Sequence, residues 1–384
     1  MMSTDPDYIR GPVNILQFGA RGDGVADDTG VIQDAINFLA ARGGGKIFFP
    51  FTPHGYRIAR PAEEFIDGHA CRGQLYIPFT EACRPNITLE GEMPCKLLNR
   101  YIGWNSTGSG GRSAIAFPLP PAVNTFLFSD WDAPEEHDPA ARPWSMLCAL
   151  EGNVFAGKFG PRKVSIANLE FRVRLNPDKM YPTATGANLQ NAETMSVRES
   201  QFCLDRNIAD FKQRKVLLPN PCHTAGLIGS GDQNDDNVLY NVAAQGFRYG
   251  FVFGEHVLAD FLMAHNTENA VVFHDASHQS RIRHMVAQHN RRILCAPGGV
   301  LFGMACSARP AYVQVDGVDF EPGASDYEPA VCNMTHGVWD PENRLYGKLA
   351  YHCGCPVNRQ WFPVEGGGNF QCFPINPIDK EITR

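Results

Sequence analysis

The sequence has few of the features that would place a chain quickly, and each absence removes a class. No apolar run is long enough to cross a bilayer. The opening residues, MMSTDPDYIRGPVNILQFGARGDG, lack the basic start, the apolar core and the small-residue cleavage site of a secretory signal. As written the chain is expected to be cytoplasmic and without a membrane partner, with secretion or release with a virion as the alternatives. Charge is sparse at 20%, and the 34 basic residues are scattered under a net charge of −7. No basic stripe is present to neutralise phosphates, which excludes nucleic acid as a partner. No CxxC pair occurs and the cysteine spacing does not recur, so neither a zinc ribbon nor a disulfide framework is indicated, and the lack of HxH and HExxH spacing speaks against a metal site. Most of the twelve cysteines then read as small apolar residues of a stacked core. His352, Cys353 and Cys355 form the one tight cluster of soft ligands, and no metal is assigned to it.

What the chain does have is turn formers, 37 Gly and 28 Pro in 384 residues. Strands and turns should dominate, and a solenoid of this length need not split into domains. The most informative stretch runs FGARGDGVADDTGVIQDAINFLAARGGGKIFFPFTPHGYRI, from Phe18 to Ile58. Asp27 or Asp28 can accept from the open N–H groups of a first helical turn, after which Val31, Ile32, Ala35, Ile36 and Leu39 share one face. Gly43, Gly44 and Gly45 end that helix; Lys46 to Pro50 and Tyr56 to Ile58 read as strands. An amphipathic helix is what the open end of a solenoid requires. This segment resembles the opening of pectate-lyase-3 type proteins of the pectate lyase superfamily, in which an FGAxGDGxxDDTxAIQxAI helix precedes a GGGxxxFPxGxY strand. Pro53, His54 and Gly55 lengthen the usual turn. The resemblance implies an all-β, right-handed parallel β-helix. It does not select a chemistry, because the superfamily includes polysaccharide lyases, glycoside hydrolases, fructan-transferring enzymes and phage tailspikes.

One β-helix domain over residues 1–384 is therefore expected, with an N-terminal cap over 14–60. PNITLEGE (Pro85 to Glu92) and KVSIANLEF (Lys163 to Phe171) are β-branched strands carrying turn asparagines. Residues 103–145 and 204–223 read as loop insertions that wall a groove. Between them and the C-terminus lies the clearest repeat: AGLIGSGD from Ala225, YGFVFGEH from Tyr249 and NAVVFHDA from Asn269 stack with offsets of 24 and 20 residues. Each is followed by a second strand, NVLYNVAA, VLADFLMA and RIRHMVAQ in turn. Regular coils are expected over about 160–320, and an irregular C-terminal cap over about 322–384.

Stacking these coils brings Gly231 with Asp232, Glu255 with His256, and His274 with Asp275 to one edge of successive strands. Coils lie about 4.8 Å apart, so carboxylates one coil apart approach the roughly 5 to 5.5 Å of a retaining glycosidase and those two coils apart the roughly 6.5 to 9.5 Å of an inverting one. Asp232, Glu255 and Asp275 are the leading catalytic candidates, with Asp235 and Asp236 of the GDQNDDN turn next. The plainer account is that these residues form turns. Seven of the twelve histidines, His223, His256, His265, His274, His278, His284 and His289, crowd the same region, where an external stack of polar rings is the plainer account. His256, His274, His278, Arg248, Tyr249, Arg281, Arg283 and Trp104 are the candidates for binding sugar. Trp131, Trp144 and Phe247 could also stack on rings or simply fill the core.

These features favour an enzyme that cleaves or rearranges glycosidic bonds of a polysaccharide or oligosaccharide, as hydrolase or intramolecular transferase. A lyase acting on uronates comes second: Arg248, Arg281 and Arg283 offer positive charge and Tyr249 or a histidine a base, but residues 225–300 contain no lysine. A tailspike or glycan-binding protein without catalysis comes third. No cofactor is expected unless the NDDN run, Asn234 to Asn237, holds Ca²⁺. A homo-oligomer, as a trimer of adjacent β-helices, stays open.

Overall fold

The computed structural model describes residues 11–97, 123–138, 141–151, 160–174, 179, 181, 183–204, 223–229, 236–254, 256–273, 280–290, 292–298, 300–302, 304–305, 311–322, 331–335, 338–339, 345–353 and 370–374. Among them are two helices, α1 (Ile15–Phe18) and α2 (Thr29–Ala40), and a large majority of strands. The strands form a right-handed parallel β-helix of two main sheets, one of fifteen strands and one of nine among the described residues.

Register explains the core. In the larger sheet Ile47, Leu89, Ile166, Val197, Leu239, Ala259, Ile282, Val315 and Leu349 lie opposite one another through nine successive coils, all buried. Each such large aliphatic side chain contributes about 1.5–3 kcal/mol by leaving water. The long strands Thr194–Leu204, Asn237–Gln245 and Val257–His265 of this sheet are also bent. Leu239 and Val242 both face the core although three residues apart, because Asn241 between them is left-handed, with φ 52°. Asn168, Glu199 and Phe261 occupy the same place in neighbouring coils, with φ 56°, 48° and 60°. This ladder of left-handed residues gives these four coils two walls from one sheet, and the nine-stranded sheet is the third wall.

The walls exchange bulk along the axis. On the wall beyond the bend, Phe171 and Phe202 stack at 5.3 Å and are followed in register by Ala244, Ala264 and Ala287. Across the core, the nine-stranded sheet has Gly186 beside Phe202, where a Cβ would fall 2.5 Å from the ring, and next to it Ala187, whose position in later coils is filled by Leu227 and then Phe251.

Helix α2 lies against strands Gly44–Phe49, Gly73–Ile77 and Asn86–Gly91, so it meets both main sheets at their N-terminal ends. Ile32, Ala35, Ile36, Leu39 and Ala40 are buried, and Val31 is half-buried against the same core. Asp27 supplies the first-turn acceptor, taking the Thr29 N–H at 3.0 Å; Asp28 instead accepts from the N–H groups of Arg21 at 2.8 Å and Gly22 at 3.0 Å, pinning the preceding loop.

Two expectations need correction. Residues 103–145 are not wholly an insertion: Phe126–Ser129 pairs with Tyr56–Ile58 and Glu170–Val173 as a ladder strand. Nor is 322–384 simply irregular, since Val331–Thr335 extends the nine-stranded sheet, and Leu345–Cys353 and Phe370–Pro374 extend the larger one. Residues 98–122 and 205–222 lie outside the described residues.

Candidate functional site

The repeat found in the sequence is present as stacked strands. Ala225, Tyr249 and Asn269 are opposite one another, as are Ile228, Val252 and Val272, so strands His223–Gly229, Tyr249–Phe253 and Asn269–Phe273 stack in the expected register. Where the next strands begin the first two coils are aligned as well, but it is Asp236, rather than Asp232 as the stacked sequence has it, that stands level with His256. Asp236 and His256 precede the paired residues Asn237 and Val257, both are left-handed with φ 52° and 54°, and the Asn237 N–H donates to the His256 carbonyl at 3.1 Å. Asp236 is exposed and His256 half-buried. Asp232, Asp235, Glu255, His274, Asp275, His278 and Trp104 lie outside the described residues.

Arg281 stands just past the same turn, opposite Leu258. Its guanidinium holds Asp316 at 2.6 and 2.7 Å. Partial burial of Asp316 works against ionisation, but the Gln314 amide and Arg281 prevail and keep its carboxyl below the ordinary range. Arg283 is 3.8 Å from Asp260, which also meets His284 Nδ1 at 3.0 Å on the outer face of the larger sheet.

Arg248 and Tyr249 are at the other end of the strands from Asp236 and His256. A strand of this length is roughly 13 Å, so Arg248 and Tyr249 do not meet one sugar ring together with His256. Arg248 is part of a polar ladder instead: its Nε donates to Glu268 Oε2 at 3.1 Å, and Arg292 Nη1 donates to Glu268 Oε1 at 3.3 Å and to Asn269 Oδ1 at 3.2 Å. The Arg248 N–H is bound by Thr224 Oγ1 at 2.8 Å. Glu268 and Arg292 are buried. Sequence reasoning missed both, although Thr224, Arg248, Glu268 and Arg292 are separated by 24, 20 and 24 residues, close to the spacing that aligns the strands.

Between these two edges the outer face of the wall is apolar. Ile228, Val252 and Val272 are fully buried there with Phe302, whose ring meets Tyr249 edge-on at 5.4 Å. Tyr249 is thus part of an apolar cover. Phe247 is a core residue, and Trp144 is buried against Trp131 at 5.0 Å. The histidines make no single stack among the described residues: His256 is at a turn, His284 at a bend, and His265 is buried against Asn266 on the wall between. Asn237 of the NDDN run is fully buried and its Oδ1 accepts from the Met195 N–H at 3.2 Å, so that oxygen is committed to the fold rather than to Ca²⁺. Among the described residues no group of three or more His, Cys, Asp and Glu could hold a metal.

No family model matches the chain. A stretch of 64 residues is 46% identical to the mannuronan C5-epimerase AlgE6 of Azotobacter vinelandii, and one of 55 residues is 54% identical to AlgE5 of the same organism. These stretches cover 17% and 14% of this chain but only 7% and 5% of the relatives. Among solved structures, Geobacillus virus E2 ORF18 is similar over 94% of this chain and 60% of its own, with 13% identity and a TM-score of 0.44. The AlgE6 A-module is similar over 95% of this chain and all of its own, with 14% identity and a TM-score of 0.32.

Proposed function

We propose that this protein acts on a polysaccharide, and that its chemistry lies along the edge where strands His223–Gly229, Tyr249–Phe253 and Asn269–Phe273 turn into the larger sheet. The observation that carries this reading is that Asp236 and His256, which end two consecutive turns, share one backbone conformation and neighbouring positions. Turns aligned in this way set polar side chains at a repeat of about 4.8 Å. Carboxylates at such a repeat can divide the work of acid and base, one held protonated by its neighbour's charge. On this reading Asp232, Glu255 and Asp275 cleave or transfer a glycosidic bond, with Asp235 and Asp236 beside them and His256, His274 and His278 holding sugar hydroxyls.

A second reading is favoured by the local sequence matches, because the relatives are named for C5 epimerisation of mannuronan. That chemistry removes the proton next to a uronate carboxylate. Return of a proton to the opposite face gives epimerisation, and departure of the 4-linked sugar gives elimination. Either needs a base and a positive partner for the developing charge; His256 and Arg281 are the candidates on this edge.

One experiment separates the readings. Purified protein is incubated with neutral polysaccharides, fructans and uronate polymers, and three signals are followed: new reducing ends, absorbance of an unsaturated uronate, and the epimer ratio by proton NMR. Reducing ends alone support the carboxylate mechanism. Absorbance gained with reducing ends means elimination, and a changed epimer ratio without either means epimerisation. Loss of a fructan without new ends indicates intramolecular transfer. No change on any polymer, with retention of one of them on a column, supports a glycan-binding protein and removes the catalytic reading.

A further inference from the structure

Away from that edge, near the N-terminal end of the nine-stranded sheet, two cysteines meet. Cys71 Sγ and Cys148 Sγ are 3.7 Å apart, and both residues are buried, at 1% and 5% exposure. Cys148 belongs to strand Ser145–Ala149 and is opposite Tyr76, so its side chain leaves the sheet on the outer face. Cys71 comes just before strand Gly73–Ile77, and its N–H is fixed by the Glu64 carbonyl at 2.8 Å.

The surroundings hold the sulfurs together. Phe79 and Leu150 are buried beside the pair, and Ala62, Ile66 and Tyr76 close around it. Gly73 makes room, since a Cβ there would fall 2.7 Å from Cys148 Sγ. Arg72, next in the chain to Cys71, is anchored by Glu136 at 2.5 Å and by the Arg142 carbonyl at 2.8 Å, which limits drift of the backbone. Residues Phe65–Ile66 and His69–Ala70 form a two-stranded hairpin just before Cys71, turned by Asp67 and Gly68 at φ 49° and 83°. A lone two-stranded hairpin is marginally stable, so its opening is the natural route for a reagent to reach the pair.

The two thiols are also unequal. Hydrogen bonding from Cys148 lowers the Cys71 pKa, with burial opposing it, while the same contact and burial push the Cys148 thiol up. The thiolate is the nucleophile in disulfide exchange.

We propose that Cys71 and Cys148 are a modification site, a dithiol that closes to an intramolecular disulfide. With a small-molecule disulfide as oxidant, the Cys71 thiolate attacks one sulfur and expels one small thiol, leaving a mixed disulfide on Cys71. Cys148, losing its proton, attacks the Cys71 sulfur and expels the second small thiol. The protein gives up two protons and two electrons, and the oxidant is reduced to two thiols. A bond of about 2.05 Å requires the sulfurs to approach by less than about 2 Å, within reach of side-chain rotation. The product ties the hairpin segment to a strand 77 residues later.

The test uses the full chain, incubated folded with glutathione disulfide or with dithiothreitol, quenched in acid, alkylated after unfolding and digested without reduction. We expect a peptide joining Cys71 to Cys148 in the oxidised sample and its loss with dithiothreitol. The oxidised protein should also unfold several degrees higher than the reduced one, and Cys148→Ser should abolish the difference. Alkylation of both cysteines after oxidation, or a bridge from either to another cysteine, would overturn the proposal. The peptide map of the unaltered chain decides it even if the variant does not fold.

Discussion

The side-chain amide of Gln33 bonds both backbone polar groups of Tyr76: its Nε2 donates to the Tyr76 carbonyl, and its Oε1 accepts the Tyr76 N–H, each at 2.9 Å. Tyr76 belongs to the terminal strand of the nine-stranded sheet. A helix side chain thus stands in for the next coil, satisfying groups that a sheet edge leaves open. Gln33→Ala should lower stability by about 1–3 kcal/mol, measured by denaturant unfolding. An unchanged midpoint would mean that water replaces the amide without loss.

Glu170 and Arg172 form a fully buried ion pair at 2.6 Å; Asn124 donates to the same carboxylate at 2.8 Å, and the guanidinium covers the Phe126 ring at 3.4 Å. Removing one charge strands the other away from water, so Glu170→Ala is expected to cost about 3–5 kcal/mol. The double variant Glu170→Leu with Arg172→Met should recover much of that loss. Additive losses in chemical unfolding would contradict this account.

Phe261 occupies a left-handed position that Asn241 and Asn168 occupy in other coils, yet it carries a bulky ring that is 47% exposed. The conformation costs roughly 1–2 kcal/mol for such a residue, and little burial offsets it. Phe261→Asn should raise stability by about 1 kcal/mol. A lower unfolding midpoint would show that the Phe261 ring contributes more through its contact with His284 than its exposure suggests.

Asp27 responds to pH. Burial would raise its pKa, but the Thr29 hydroxyl and N–H, the Ala59 N–H and Arg60 together hold it below 3.8. A depressed carboxyl stabilises the fold fully above its unfolded value and loses that contribution as pH falls through the folded one. The stability difference between the native chain and Asp27→Asn should therefore be constant near neutrality and shrink below pH 3.8. A difference that widens in acid would reverse the sign.

For the proposed edge, Asp232→Asn, Glu255→Gln and Asp275→Asn should each reduce turnover by about 10²–10⁴-fold, with the thermal transition nearly unmoved. Full activity in all three would remove the edge from consideration.

The parts of the fold that could be read from sequence are those with short coils. Ala225, Tyr249 and Asn269 recur at nearly constant offsets with β-branched and aromatic neighbours, and the Phe18 to Ile58 segment carries its helix stop and strand signals in order. Phe126–Ser129 was hidden because its partner strand, Tyr56–Ile58, lies far back in the chain across a Gly-rich stretch. Strands after residue 322 were hidden because longer excursions separate them from the coils that they join. For the site, stacking the sequence set Asp232 level with His256, whereas the longer first turn sets Asp236 there, and Glu268 and Arg292, where the strands begin, carry no turn signal. Glu170 and Arg172 alternate like a solvated strand, and nothing local reveals that Asn124 and Phe126 cover them.

The exchange of bulk between walls, Phe202 facing Gly186 in one coil and Ala264 beside Gly250 with Phe251 and Phe253 adjoining in another, has an evolutionary corollary. A ring can be gained on one wall only if the wall opposite gives up volume. Substitutions in this core should therefore come in compensating pairs, and their partners will be found across the hollow of the solenoid rather than along its ladders.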